Sequence, residues 1–340
     1  MNHLRFKGHH YEIGFRWGSL LAGYGNYILD QVPFPITEER IAFGRQCRPV
    51  YEKFFPEILE EIRGLSEGQK SSSEKIQAVL FSMYAMPPAE HCSCFAVSSK
   101  EQLFLGRNSD FLTEIEEFNK NVVYDFTSDS YGFNGNTTAF LEMEDGINER
   151  GLAVGMTSVF SKHIQPGMNS GMLLRFFLEK CSTVDEVIKW LYKIPIASAQ
   201  TFTVADLTGD ISVIECCADG IHIRKPEEER PYVCTVNRFH SPELEKWNTG
   251  EVDDWLSSQR YETMEKTLSR EAPQMDISIA KELLSGKKGF ICQYDRDTGK
   301  DTVWSVIYDL KHHKIYRAEG NPARCVYQED QRVVFQPNKQ

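Results

Sequence analysis

No stretch of this 340-residue chain approaches the ~20 consecutive apolar residues that a membrane-spanning helix needs. Its opening, MNHLRFKGHHYEIGF, lacks the apolar core of about 7–15 residues that marks a secretory signal. Basic residues are outnumbered, 38 Lys and Arg against 49 Asp and Glu, for a net charge of −11. That balance argues against a nucleic-acid partner, which wants a basic face, and against an anionic membrane surface. Internal repeats and low-complexity tracts are absent, so neither a solenoid nor a linker-rich assembly is expected. The nine cysteines are an odd number, and several lie inside hydrophobic strands, which suits reduced thiols better than a disulfide framework. A cytoplasmic protein is the expectation.

With 41% hydrophobic and 26% charged residues, the chain can bury a sizeable core in one large domain or two ordinary ones. Residues 1–91 read as mostly helical. Glu57-Ile58-Leu59-Glu60-Glu61-Ile62 has helical periodicity, with Gly64 as its expected stop. Ser71-Ser72-Ser73 offers an N-cap for a helix over 74–84. Pro87-Pro88 then ends the helical part and forces an extended approach to His91 and Cys92. Beyond this seam the texture is strand-like: 92–98, 103–109, 121–127, 137–143, 151–157, 201–206, 211–216, 221–224, 233–237, 302–309 and 314–318. Helices are expected at 171–180, 184–193, 253–269 and 276–286. Many consecutive strands with grouped helices give an α+β fold.

The densest chemistry lies at the first seam between helices and strands. Segment 92–98 (CSCFAVS), a polar turn at 99–102 and the return strand 103–109 (LFLGRNS) form a hairpin. A turn centred near residue 100 puts Cys92 opposite residue 109, and period-2 alternation gives Arg107 the same face. Asp110 falls on the other parity, so it reaches Cys92 only from a twisted strand end or past a bulge. A thiol, a guanidinium and a carboxylate thus share one small volume.

Cys92-Ser93-Cys94-Phe95-Ala96-Val97 followed by Gly106-Arg107-Asn108-Ser109-Asp110-Phe111 resembles the N-terminal-nucleophile amide hydrolases of the choloylglycine hydrolase and penicillin V acylase group. The branch most alike contains acyl-coenzyme A:6-aminopenicillanic-acid acyltransferase, which carries a helical stretch ahead of its nucleophile. The similarity continues through Gly146-Ile147-Asn148-Glu149-Arg150-Gly151-Leu152-Ala153, Leu174-Arg175, Ala205-Asp206 with Gly209, Thr235-Val236-Asn237-Arg238-Phe239, and Thr302 to Gly320-Asn321-Pro322. The order and spacing of these motifs carry the resemblance across most of the chain.

The resemblance implies a four-layer αββα sandwich of two antiparallel sheets. It implies cleavage at His91–Cys92, a helical pro-segment of residues 1–91 and a catalytic domain of residues 92–340. Freed from residue 91, Cys92 would carry an α-amine of reference pKa ~7.7–8.0, able to act as base for its own thiol. An uncut amide nitrogen cannot take that proton. Asp110 would orient the amine, Arg107 would stand beside the sulfur, and Asn237 would shape the site. Where relatives place an oxyanion-hole Asn this chain has Gln200-Thr201, and after the "GLA" strand it has Met156-Thr157-Ser158. Gln200, Thr201 and Thr157 are therefore the oxyanion and substrate candidates. Residue 91 is His where some relatives have Gly. The implied substrate is a small-molecule amide, cut through an acyl-thioester, with water or an acceptor amine (or acyl-coenzyme A as donor) completing the reaction. No cofactor or metal is called for, and a homo-oligomer is allowed.

Other readings compete. The chain could stay intact and weakly active, or serve as a non-catalytic binding module. A thiol redox or metal protein could use Cys92/Cys94 and Cys216/Cys217, although a C-x-C pair alone falls short of a zinc site. His9-His10 and His312-His313 read as solvated turn histidines, Gly132–Asn136 as a connecting turn, and Arg175 as an ion-pair residue outside the site.

Overall fold

The computed structural model describes residues 1–86, 91–161, 163–228, 230–249 and 253–332. These form strands β1 (Asn2–Gly8), β2 (His91–Ser98), β3 (Leu103–Leu112), β4 (Lys120–Phe126), β5 (Phe133–Thr137), β6 (Asp145–Asn148) and β7 (Ala153–Ser158). Strands β8 (Gln200–Ala205), β9 (Ile211–Cys217), β10 (Gly220–Arg224), β11 (Tyr232–Thr235), β12 (Lys300–Asp309), β13 (Lys314–Ala318) and β14 (Gln328–Glu329) follow. The helices are α1 (His10–Gly23), α2 (Ile28–Gln31), α3 (Glu38–Phe54), α4 (Pro56–Gly68), α5 (Ser73–Ser82), α6 (Ser170–Lys180), α7 (Val184–Leu191), α8 (Ser257–Glu271) and α9 (Ile277–Leu284). One sheet runs β1-β4-β5-β6-β7-β8-β9-β10 and the other β11-β2-β3-β12-β13-β14.

Strand alternation sorts the side chains into layers. Cys94 and Ala96 of β2, Leu103 and Leu105 of β3, Ala153 of β7 and Ala205 of β8 meet between the sheets, with Trp304 and Tyr308. Val154, Met156, Phe202 and Val204 point the other way, under α6 and the N-terminal helices. Phe95, Val97 and Phe104 pack outward against Met264 and Leu268 of α8 and Leu283 and Leu284 of α9. The fold is the expected four-layer sandwich.

The N-terminal segment is built into this core. α1 and α4 pack with their backbones almost touching. A β-carbon on Gly64 would lie 2.1 Å from the Tyr11 carbonyl oxygen, and one on Gly14 2.0 Å from that of Glu61. Gly64 is thus a contact point in mid-helix, not a stop, and α4 continues to Gly68. Behind it, Arg175 of α6 donates to Glu61 (2.7 Å) and Glu179 (2.5 Å), with its guanidinium 4.0 Å over the Tyr124 ring. His10 bonds Glu179 at 2.8 Å and is buried, so it is not a solvated turn histidine. His312 does sit half-exposed, paired with Asp309.

Other expectations need correction. Residues 2–8 form a strand, β1, paired in parallel with β4. The stretch expected to turn, Gly132–Asn136, contains β5, because Asn134 and Asn136 both accept from the buried Asn121 side chain of β4 and donate to Asp330 and Asp145. The strand expected over 137–143 is instead a loop into β6. Helix α8 begins at Ser257, not 253, since Trp255 and Leu256 take the left-handed conformation (φ 51° and 58°) that precedes it. The Pro87-Pro88 seam lies outside the described residues.

Candidate active site

The hairpin has the register that its turn dictates: Cys92 stands opposite Ser109, Cys94 opposite Arg107, and His91 opposite Asp110. Cys92 and Arg107 therefore point into the space between the sheets. Arg107 Nη2 lies 2.9 Å from Cys92 Sγ. Its remaining donors are fixed: Nε to the Met156 carbonyl (2.9 Å) and Nη1 to Asp145 Oδ2 (2.6 Å). Passage of this side chain depends on Gly155, whose missing β-carbon would stand 3.0 Å from Arg107 Cδ and 2.9 Å from Cys94 Sγ.

Two carboxylates flank the guanidinium. Asp145 also accepts from Trp304 Nε1 (2.9 Å), Tyr308 OH (2.6 Å) and Asn136 Nδ2 (2.5 Å). Glu144 Oε2 lies 3.1 Å from Ser109 Oγ and 3.5 Å from Arg107 Nη2, and its other oxygen accepts from Thr138. Burial lifts Glu144 above the usual carboxylate range, opposed by Arg107. Cys94 shares this face, but burial pushes its thiol up to about 12. Of the two neighbouring sulfurs, only Cys92 has the guanidinium as a hydrogen-bond donor.

Asp110 lies on the opposite face of β3, as its parity requires. A register shift in β12 between Thr302 and Trp304 supplies the irregularity beside it. Its carboxylate accepts from Thr302 Oγ1 (2.6 Å) and Tyr294 OH (2.9 Å) and lies 3.6 Å from Arg260 Nη1. Burial raises it to about 6, with Arg260 opposing. Arg260, in the first turn of α8, donates to the Cys92 carbonyl (2.6 Å), Ser93 Oγ (3.0 Å) and Asn237 Oδ1 (3.1 Å). Asn237 Oδ1 in turn accepts the Cys92 backbone N–H at 2.8 Å, and its Nδ2 donates to the Ser158 carbonyl.

Of the remaining candidates, Thr157 and Thr201 face each other at 2.9 Å, and Thr157 donates to the Val236 carbonyl, next to Asn237. Gln200 sits on the other face of β8, bonded to Cys216 Sγ (3.0 Å) and Ser198. It is therefore separated from the thiol by the sheet. His91 is buried and stacked on Trp255, ring centroids 4.5 Å apart and planes 15° from parallel. Sequence reasoning missed Arg260, Glu144, Asp145 and Tyr294. The adjacent pair Glu144-Asp145, just ahead of Gly146-Ile147-Asn148, was a readable signal; Arg260, 168 residues from Cys92, offers none.

Partial likeness in fold extends to many solved structures, among them a penicillin V acylase, an acid amidase and a bile acid hydrolase. Penicillin V acylase from Agrobacterium tumefaciens shares 15% identity over 67% of this chain and 82% of its own, at a TM-score of 0.45. The Caenorhabditis elegans ortholog of N-acylethanolamine-hydrolyzing acid amidase shares 17% over 64% and 92%, at 0.49. A mutant of conjugated bile acid hydrolase from Clostridium perfringens shares 14% over 71% and 97%, at 0.43. No curated protein matches the chain. The model of the acyl-coenzyme A:6-aminopenicillanic acid acyl-transferase family matches residues 97–324, well over half the sequence and beginning five residues after Cys92, and the chain belongs to that family.

Proposed function

We propose that this enzyme cuts its own chain between His91 and Cys92 and then cleaves a linear amide through an acyl-thioester on Cys92. Membership of the family places it among amide hydrolases and acyltransferases. The observation that carries the finer reading is one residue held at two atoms: Cys92 Sγ by Arg107 and Cys92 N by Asn237. A cation against the sulfur favours its nucleophilic, anionic form. Once residue 91 is removed, the nitrogen becomes an amine positioned by Asn237, with Asp110 on the strand beside it to balance its charge. The amine takes the thiol proton, sulfur adds to the substrate carbonyl, and the tetrahedral intermediate expels the amine product. Water then releases a carboxylic acid, or an acceptor amine takes the acyl group. Residues 1–91 remain as a separate chain and 92–340 form the catalytic domain.

Arg107 stays charged throughout, while Glu144, poised towards its neutral form beside Ser109 and Arg107, can lend a proton on the same face. Thr157 holds the Val236 carbonyl, and Thr201 is bonded to the Thr157 hydroxyl. A narrow apolar pocket of about 60 Å³ opens beside Glu144, walled by Pro33, Phe34, Met83, Tyr84 and Phe140, with Thr138 and Tyr84 bonded to that carboxyl. It supports an apolar acyl group, with the N-terminal segment supplying part of the wall. Intact mass tests the reading: wild-type protein should resolve into two chains that part at residue 91, while Cys92→Ala should stay whole and inactive. A whole, fully active wild type would contradict it.

A further inference from the structure

The segment 253–260 holds the residues on either side of the His91–Cys92 peptide, and the two contacts come from one short piece of chain. Arg260 donates to the carbonyl of Cys92 at 2.6 Å, while Trp255 stacks on the ring of His91. The two grips are themselves joined, because Arg260 Nε donates to the Trp255 carbonyl (3.1 Å) and Nη2 to that of Asp254 (3.0 Å). To present its indole, Trp255 adopts φ 51° and Leu256 φ 58°, a left-handed pair that residues with a β-carbon seldom form. Tyr294 meets the same indole edge-on at 5.5 Å and bonds Asp110. Lys300 lies 5.2 Å over the indole ring and pairs with Asp253. Among the described residues the buried Nδ1 of His91 has no hydrogen-bond partner, and burial with Arg260 nearby lowers the pKa of the ring to about 3. A neutral imidazole that is stacked, with a buried Nδ1 that meets no partner among the described residues, is held for its shape.

Resting on the self-cleavage reading, we infer that Trp255 is a positioning residue for that cleavage, gripping the flat ring of His91 so that the His91 carbonyl stays fixed while Cys92 Sγ attacks it. In that step the S–C bond forms and the C–N bond breaks, and the thiol proton ends on the nitrogen of Cys92. Water then hydrolyses the thioester, leaving His91 with a carboxylate and Cys92 with its thiol. The ring contributes planarity and not proton transfer, so any flat uncharged ring at position 91 serves.

A time course of intact mass tests this on the full chain, with Cys92→Ala as the uncut reference. His91→Ala and Trp255→Ala should each slow cleavage at least about tenfold, and the double variant should be no slower than either single one, since both remove one contact. His91→Phe and Trp255→Phe should cleave within about threefold of wild type. The inference is overturned if His91→Phe is as slow as His91→Ala, which would mark the imidazole as a proton carrier. Multiplying single effects in the double variant, or unaltered cleavage in the alanine variants, would overturn it too. A wild type that is never cut ends the self-cleavage reading and this inference together, whereas a cut wild type with indifferent variants ends only the inference.

Discussion

One guanidinium carries the geometry of the site. Arg107 is fully buried, and its fork is divided among a backbone carbonyl, the Asp145 carboxylate and the Cys92 sulfur. Lysine offers a point charge without the fork, so it cannot hold the sulfur and both fixed acceptors at once. Arg107→Lys should lower kcat/KM about 100-fold or more while leaving the fold intact, checked by steady-state kinetics beside a thermal melt. Asp110 supplies the pH dependence. Its folded pKa of about 6 lies above the ordinary carboxylate value, so the folded state holds the proton more tightly than the unfolded one. Stability from this group is full below about pH 4 and falls as pH rises through 6, by on the order of 2–3 kcal/mol. Asp110→Asn should therefore gain on wild type in melting temperature as pH is raised from 4 to about 6 and keep that advantage above it. An unchanging difference across that range would show that the buried carboxylate carries no such cost. In cut enzyme the same substitution should abolish turnover, separating its stability role from its chemical one.

At the scale of elements, the hairpin was readable and much of its support was not. A polar four-residue turn between two alternating strands fixes register, so the pairing of Cys92 with Ser109 and the face of Arg107 follow from parity alone. Asp110 was rightly placed on the other parity, next to an irregular partner strand. Strands β5 and β6 escaped because Phe133-Asn134-Gly135-Asn136-Thr137 has the composition of a turn. Its asparagines face inward and are satisfied by Asn121 of the neighbouring strand, which no local pattern announces. β1 escaped because it is an edge strand whose partner, β4, lies more than a hundred residues on. Gly64 looked like a terminator because glycine in a helix is unfavourable, and the compensating contact with Tyr11 is tertiary. Gly64→Ala must push the α1 backbone away, which should cost about 1–3 kcal/mol and lower the melting temperature by several degrees. An unchanged melt would mean that the two helices are free to part.

For the molecule as a whole, the proposed cleavage raises the question of how residues 1–91 would stay attached as a separate chain. Two buried groups from that segment, His10 and Glu61, meet Arg175 and Glu179 of the catalytic part. Burial opposes protonation of His10, yet Glu179 and Glu61 outweigh it and raise its pKa above the ordinary value. The stability that His10 contributes is thus full below about pH 6.5 and is lost as pH rises through the higher folded value. Melting temperature should decline over that alkaline window in wild type and stay flatter in His10→Gln; parallel curves would rule out the histidine as the source. Arg175 was legible in the sequence only as an ion-pair residue, since its partners lie 114 and four residues away and only the second is local. The motifs that carry the family likeness run along the strands of the core, which explains why Cys92 and Arg107 were legible in the sequence and the distant Arg260 was not. The most direct test of the whole account is the mass and N-terminal residue of the longer chain in active enzyme. A chain beginning with free Cys92, absent from Cys92→Ala, is the predicted result; full activity from a protein whose residue 92 still bears its peptide bond to His91 would contradict it.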